Sequence, residues 1–364
     1  MGLKHLHDDG DTGRPTIQDI GLGEFDSDVY SIMSYQDKSL SNVNFDPATP
    51  MILDVIGIQF LYGINRKTNA KNNDHKLTDS GMYRTIWDAG GLDRVNVSAT
   101  ALGWYIELPD TVLTPLVPEK WGVAVPLVDV FSAFPLTLYW LEGDIENVKG
   151  SAFEDVIQGN RFANVVEGGG GDDLVAGKQG HDVLKGQFGA DTLLGEAGND
   201  TLVGGGSADS LEGAGGSDQL KEDAGNDVLN GGSGADSLLG GIGSDEFVAG
   251  GGGDVVKGGN GQDTLRGGDG NDTLDGGKGP DILFGGPGND VFVFADGSGA
   301  DQIRDYAAGK DIVDLTDFGF GSKSAARAFA DVSNGNVIFD FGGGDVLTIS
   351  GAGDLTIFDV ALIV

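Results

Sequence analysis

Residues 231–248 read Gly-Gly-Ser-Gly-Ala-Asp-Ser-Leu-Leu and then Gly-Gly-Ile-Gly-Ser-Asp-Glu-Phe-Val, one nine-residue unit, GGxGxDxUx with U apolar, written twice. Followed in both directions, the unit places an acidic residue at every ninth position. These are Asp155, Asp173, Asp182, Asp191, Asp200, Asp209, Asp218, Asp227, Asp236, Asp245, Asp254, Asp263, Asp272, Asp281 and Asp290, with Asn164 in the one gap of the phase. Two residues after each of these sixteen positions stands an apolar side chain, from Ile157 and Val166 through to Leu283 and Phe292, without a failure. Glycine stands five residues before the acid except at Glu222 and Ala249, and two before it except at Phe153, Phe162 and Ser207.

A period of nine is neither helical nor a simple strand alternation; it describes a repeated turn plus strand, the signature of a parallel β-helix. The six residues GGxGxD are expected to turn, with glycine taking positive φ. The three residues xUx are expected to form a short strand whose middle side chain faces opposite to its neighbours. Two units per coil then give two short parallel sheets with the U residues stacked between them. The first two units depart from the pattern at Phe153, Phe162 and Asn164, as terminal repeats do when they cap a solenoid. Asp155 is therefore a less certain ligand than the others, and Asn164 is not expected to act as a charged one.

Coils stacked about 4.8 Å apart bring the aspartates into a ladder of like charges, each adjacent pair repelling by roughly 1 kcal/mol even at water's dielectric constant. Calcium answers such a ladder, because it takes six to eight oxygen ligands in loose geometry and accepts carboxylates together with turn carbonyls. Its binding is expected to be coupled to folding. The fourteen aspartates from Asp173 to Asp290, with Asp155 beside them, are the candidate calcium ligands. Composition alone favours an acidic, glycine-rich disordered tail, and that is the state expected of the calcium-free repeats.

The whole chain of 364 residues has room for two or three domains. Its 57 acidic against 22 basic residues give a net charge of −35, and 65 of its residues are glycine. That balance repels nucleic acid and anionic membranes and attracts divalent cations. No cysteine is present, which excludes disulfides, thiolate metal sites and cysteine nucleophiles. The opening residues Met1 to Asp9 lack the apolar core of a signal peptide, so export, if it occurs, is expected to be directed from elsewhere.

Gly2 to Asp8 and, some thirty positions on, Ser31-Ile32-Met33-Ser34-Tyr35 resemble the end of the HExxHxxGxxH motif and the Met-turn of the serralysins, secreted zinc metalloproteases of the metzincin clan. The resemblance makes Gly2 the motif glycine, His5 the third zinc ligand, Met33 the Met-turn residue and Tyr35 the tyrosine that approaches the metal. No HExxH occurs in the chain, whose histidines are His5, His7, His75 and His181. A catalytic zinc needs three protein ligands and an open position, so the expectation is an inactive downstream part of such a protease, with zinc only in a full-length parent.

Thr49 to Gly63 reads as a capped helix and resembles the last helix of the serralysin protease domain. Residues 64–80 are polar and linker-like. Residues 86–93, Ile-Trp-Asp-Ala-Gly-Gly-Leu-Asp, resemble the WDAGGxD segment ahead of the roll in that family, and residues 94–98 alternate as a strand. Residues 121–141 are long and apolar enough to raise the question of a membrane span, but Pro126 and Pro135 break them, and buried strands or a capping loop are expected instead. Asp144 to Gly150 resembles the family's IENxxGG lead into the roll. Residues 301–306 and 311–315 resemble its xIRDFxxGxDxIDLS continuation. Residues 337–341 and 345–349 read as a hairpin around Gly342 to Gly344.

The expected architecture is mainly β: a right-handed parallel β-roll over residues 149–294, a C-terminal β-sandwich-like cap over 295–364, a linker and pre-roll β segment over 64–148, and a short α-containing protease remnant over 1–63. The resemblance implies a secreted, extracellular module whose last residues, Phe358 to Val364, form an uncleaved signal read by a type I secretion machine of Gram-negative bacteria. Protein substrates are implied only if the full-length enzyme exists. A non-enzymatic adhesin or surface-layer protein using the roll as a rod is the alternative.

Overall fold

The computed structural model describes residues 73–77, 83–88, 92–108, 122–126, 138–143, 145–353 and 362–363. The chain forms two compact units, Met1–Ser151 and Ala152–Val364.

Through the repeats of the second unit, as far as Val291–Val293, the strands pair in parallel at a spacing of 18 residues, so Val175 lies beside Leu193, Leu193 beside Leu211 and Leu211 beside Leu229. One nonapeptide contributes to one sheet and the next to the other. Val183–Phe188, Thr201–Gly206 and Gln219–Lys221 follow one another in the first sheet, while Thr192–Ala197, Ser210–Gly215 and Val228–Ser233 do so in the second. The sixteen apolar U positions all face inward, and none is more than 2 % exposed. Two rows of Leu, Val, Ile and Phe thus meet between the sheets and form the bulk of the hydrophobic core of the repeats.

The strands are longer than the sequence suggests. Thr192–Ala197 and its counterparts run six residues, through the glycine pair that the nine-residue pattern assigns to the turn. The reason lies in the alternation: along Thr192–Ala197 both Leu193 and Gly195 point inward and are buried. The first glycine of each unit therefore continues the pleat, and the turn shrinks to the residues around the third glycine.

The nine-residue phase ends at Phe294 but the coil does not. Ala300–Ile303 pairs in parallel with Ile282–Phe284, and Ile312–Asp314 with Val291–Val293. Asp345–Ile349 then adds in parallel to Ala300–Ile303 and forms the expected hairpin with Asn336–Gly342. A cluster of phenylalanine rings, with Phe318 and Phe341 stacked at 4.3 Å, fills the space beside this hairpin.

In the first unit Asp74–Lys76, Arg94–Asn96 and Asn147–Lys149 form a parallel ladder. The apolar stretch 121–141 contributes Gly122–Pro126, antiparallel to both Trp104–Glu107 and Leu138–Gly143. Among the described residues no helix is long and apolar enough to cross a membrane. The region of His5, Met33, Tyr35 and the expected helix at 49–63 lies outside the described residues.

Phe247 is fully buried between Leu229 and Leu265 on adjacent strands. Truncating a buried phenylalanine leaves a cavity that so thin a core cannot collapse to fill, at about 3 kcal/mol. Phe247→Ala is expected to lower the midpoint of denaturant unfolding in saturating calcium, with the same signal at zero denaturant.

Candidate metal centre

The ladder aspartates sit where each strand begins, and none from Asp173 to Asp290 is more than 3 % exposed. Their carboxylates are oriented by the backbone one coil earlier. Oδ1 of Asp173 accepts a hydrogen bond from the N–H of Asp155 at 2.8 Å, Oδ1 of Asp191 from Asp173 at 2.8 Å, and Oδ1 of Asp209 from Asp191 at 2.7 Å. The alternate units make a second line, from Asn164 to Asp182, Asp200 and Asp218. The two lines run along the two edges of the coil stack.

Oδ1 is satisfied in this way; Oδ2 is not. In all fourteen aspartates from Asp173 to Asp290 it is buried with no hydrogen-bond partner. Buried polar atoms in folded proteins are nearly always paired, and a buried anionic oxygen is the costliest to leave alone. Burial pushes the Asp173 carboxyl up to about 8, the charges of Asp155, Asp191 and Asp172 adding to it against the hydrogen bond from the Asp155 N–H. Burial, set against the N–H of Asn164, likewise takes Asp182 to about 7, and burial set against the N–H of Asp173 takes Asp191 to about 6.

The inward-facing first glycine explains what Oδ2 points at. A Cβ built on Gly195 falls 2.6 Å from Asp200 Oδ2 and 2.9 Å from the carbonyl oxygen of Gly213 in the next coil. At Gly258 the corresponding atoms are Asp263 Oδ2 and the carbonyl of Gly276. A carboxylate and a backbone carbonyl thus converge on a spot kept open by the lack of a side chain. Oxygen donors of these two kinds are what calcium coordinates. The second glycine has a different task, since φ there is positive, 109° at Gly250, yet Lys178, Gln187, Glu196 and Ala214 hold the same position.

Asp155 joins the ladder as a donor and is fully buried. Asn164 also donates its N–H along the ladder, while its side-chain oxygen accepts from the N–H of Asn160 at 2.9 Å. Its amide closes its own loop.

The nine-residue rule misses several members. The N–H of Asp281 donates to Asp301 and that of Asp290 to Asp311, so both lines continue where spacing has lengthened to 20 and 21 residues. Burial raises the Asp301 carboxyl to about 8, with Asp281, Asp275 and Asp345 adding to it against the Asp281 N–H. In the first unit the N–H of Asn73 donates to the buried Asp93, whose N–H donates to Glu146. The surviving signal is an acid two residues ahead of a buried apolar side chain, as in Asp301 and Ile303, Asp311 and Val313, Asp93 and Val95, or Glu146 and Val148. Glu222, at a first-glycine position, is itself buried, and its Oε2 accepts from the N–H of Gly205 at 3.0 Å. Its carboxyl is raised by burial and by the charges of Asp209 and Asp227.

The sequence profile described as RTX calcium-binding nonapeptide repeat matches residues 149–184, 186–220, 223–256, 257–292 and 266–303. These are RTX calcium-binding repeats. The chain is also homologous, over its C-terminal portion, to serralysin-type metalloproteases. This chain is 32% identical over 119 residues to metallopeptidase AprA of Pseudomonas marginalis, covering 27% of this chain and 25% of that one. It is 30% identical over 142 residues to serralysin C of Dickeya chrysanthemi, covering 34% and 30%. Serralysin of Photorhabdus sp. (strain Az29) is 28% identical over 143 residues, again 34% and 30%. The chain thus spans between a quarter and a third of the length of these relatives. The orphaned Oδ2 atoms and the glycine-kept cradles offer oxygen donors of the kinds that calcium coordinates.

Proposed function

We propose that this chain is the calcium-driven folding and export module of a secreted serralysin-like zinc endopeptidase, and that the aspartates from Asp173 to Asp290, with Asp155 at the margin, are its calcium ligands. The observation that carries the reading is the row of buried Oδ2 atoms without hydrogen-bond donors, most of them facing a glycine-kept opening that, as at Gly195, Gly213, Gly240, Gly258 and Gly267, lies beside a carbonyl of the next coil. In a low-calcium cytoplasm the carboxylates repel one another and the repeats stay loose enough for a type I machine to pass. Outside the cell calcium brings the coils together. Residues 1–63 belong on this reading to the protease domain, 64–148 to the linker and pre-roll segment, 149–294 to the roll, and 295–364 to the cap with its secretion signal. His5, Tyr35 and Met33 belong to a zinc site that only a longer parent completes, so this chain by itself is not expected to cleave protein substrates.

Titrating calcium into the chelator-treated chain tests this directly. A cooperative rise of the far-UV β signal at micromolar to millimolar calcium is expected, with magnesium, which demands tighter octahedral geometry, much less effective. A spectrum that calcium leaves unchanged would falsify the reading. The rod-like adhesin alternative predicts retention of the chain on the cell surface, whereas the export module is released to the medium.

A further inference from the structure

Glu222 stands where the repeat has its first glycine, and the short strand Gln219–Lys221 stops just ahead of it, whereas its neighbours in the same sheet run six residues. The repeat matches also break there, resuming at 223. The carboxylate turns inward. It lies against Gly204, taking the place over that glycine where Asp oxygens lie at Gly195 and Gly213. One oxygen each of Asp209, Glu222 and Asp227 lie within 4.8 Å of one another, and all three residues are buried. Glu222 Oε1, Asp209 Oδ2 and Asp227 Oδ2 receive no hydrogen bond from a backbone or neutral side-chain donor, and the Asp209 and Glu222 carboxyls lie against each other closely enough to share a proton when no cation is bound. Oxygens at that separation reach a single cation at calcium's bond lengths of about 2.3 to 2.6 Å.

We propose that Asp209, Glu222 and Asp227 form a three-carboxylate calcium site within the roll, distinct in composition from the repeat sites on either side and tighter than they are. The proposal rests on reading the repeats as calcium sites, and adds one carboxylate to one of them. Affinity in oxygen-ligand calcium sites rises with the number of charged ligands. A third carboxylate in a buried setting is worth at least about a factor of ten.

Calorimetric calcium titration of the full chain is expected to resolve one tight equivalent ahead of the bulk. Glu222→Gln, which keeps the shape and removes the charge, is expected to weaken that equivalent at least about tenfold and leave the rest in place. Glu222→Gly restores the repeat and is expected to lose the tight equivalent without changing the total number of ions. Three superimposable titrations overturn the proposal. So does one additional ion bound by Glu222→Gly, which means that the glutamate fills the ion's place. Excitation spectroscopy with one equivalent of europium(III) reads ligand charge without relying on the variants' folding. A line of three-carboxylate character in the wild-type chain supports the site, and its absence overturns it. A wild-type chain that binds no calcium removes the underlying repeat reading as well, which a change confined to Glu222→Gln does not.

Discussion

With calcium chelated at pH 7.5, the repeats are expected to be unfolded, and acidification to about pH 4.5 is expected to restore their β signal without any metal. The ladder carboxylates have folded-state pKa values above their unfolded ones: about 8 at Asp173 and Asp301, about 7 at Asp182 and Asp263, about 6 at Asp191, Asp227, Asp236, Asp272 and Asp281. The fold binds more protons than the unfolded chain wherever pH lies between the two values, so its stability falls as pH rises through that window. The penalty is complete above the folded pKa and gone near pH 4.

One carboxyl raised by two units costs roughly 3 kcal/mol in the charged state, and a whole domain is held by only about 5 to 15 kcal/mol. Several such groups together exceed that margin at neutral pH. Calcium inverts the slope, because its ligands must be deprotonated. Circular dichroism against pH, with calcium and with chelator, is expected to give curves of opposite slope. A chelated chain equally folded at pH 7.5 and 4.5 overturns this account.

Gly234→Val is expected to cost more than about 4 kcal/mol, the range reserved for severe backbone or core disruption. The φ of Gly234 is 130°, a conformation that β-branched residues avoid, and a Cβ there would overlap the carbonyl oxygen of Gly216 in the previous coil. That oxygen is backbone, so the overlap is relieved only by prising two coils apart, which breaks both sheets and both ladders at that level. In a solenoid each coil contacts its neighbours alone. The variant is therefore expected to unfold in two stages in calcium, with new protease cleavage around residue 234. Gly251→Ala is the control: nothing lies within 4 Å of its Cβ and its φ is not left-handed, so it is expected to be neutral or to gain up to about 1 kcal/mol.

Glycine therefore stands in the repeat for three separable reasons, and the nine-residue pattern shows only that it stands there. The sixteen inward apolar positions and the aspartate ladder were legible, because burial on a strand follows alternation and alternation is written in the sequence. What the first glycine does was hidden, since it depends on the direction taken by the carboxylate five residues later and on a carbonyl of the next coil. Asp301 and Asp311 escaped the periodic reading because residues inserted between Asp290 and Asp311 shift the phase while leaving acid and apolar side chain two apart. Glu222 reads as a lapse from the consensus until its carboxylate is seen between Asp209 and Asp227. The expectations for His5, Met33 and Tyr35 concern residues outside those described.

The hydrogen bond from each ladder N–H to the carboxylate one coil later gives the stack a polarity. A coil never completes its own corner; the coil that follows it in sequence does so, and a roll cut at any level ends in two amides with nothing to hold them. Asp301 and Asp311 serve Asp281 and Asp290 in this way. A fragment ending at Phe294, where the periodicity stops, leaves those two amides open, whereas one reaching Leu315 closes them. Sequence repeats and stable length are thus offset by one coil, always toward the C-terminus, and any excised or transplanted segment of this roll must carry that extra coil on the same side.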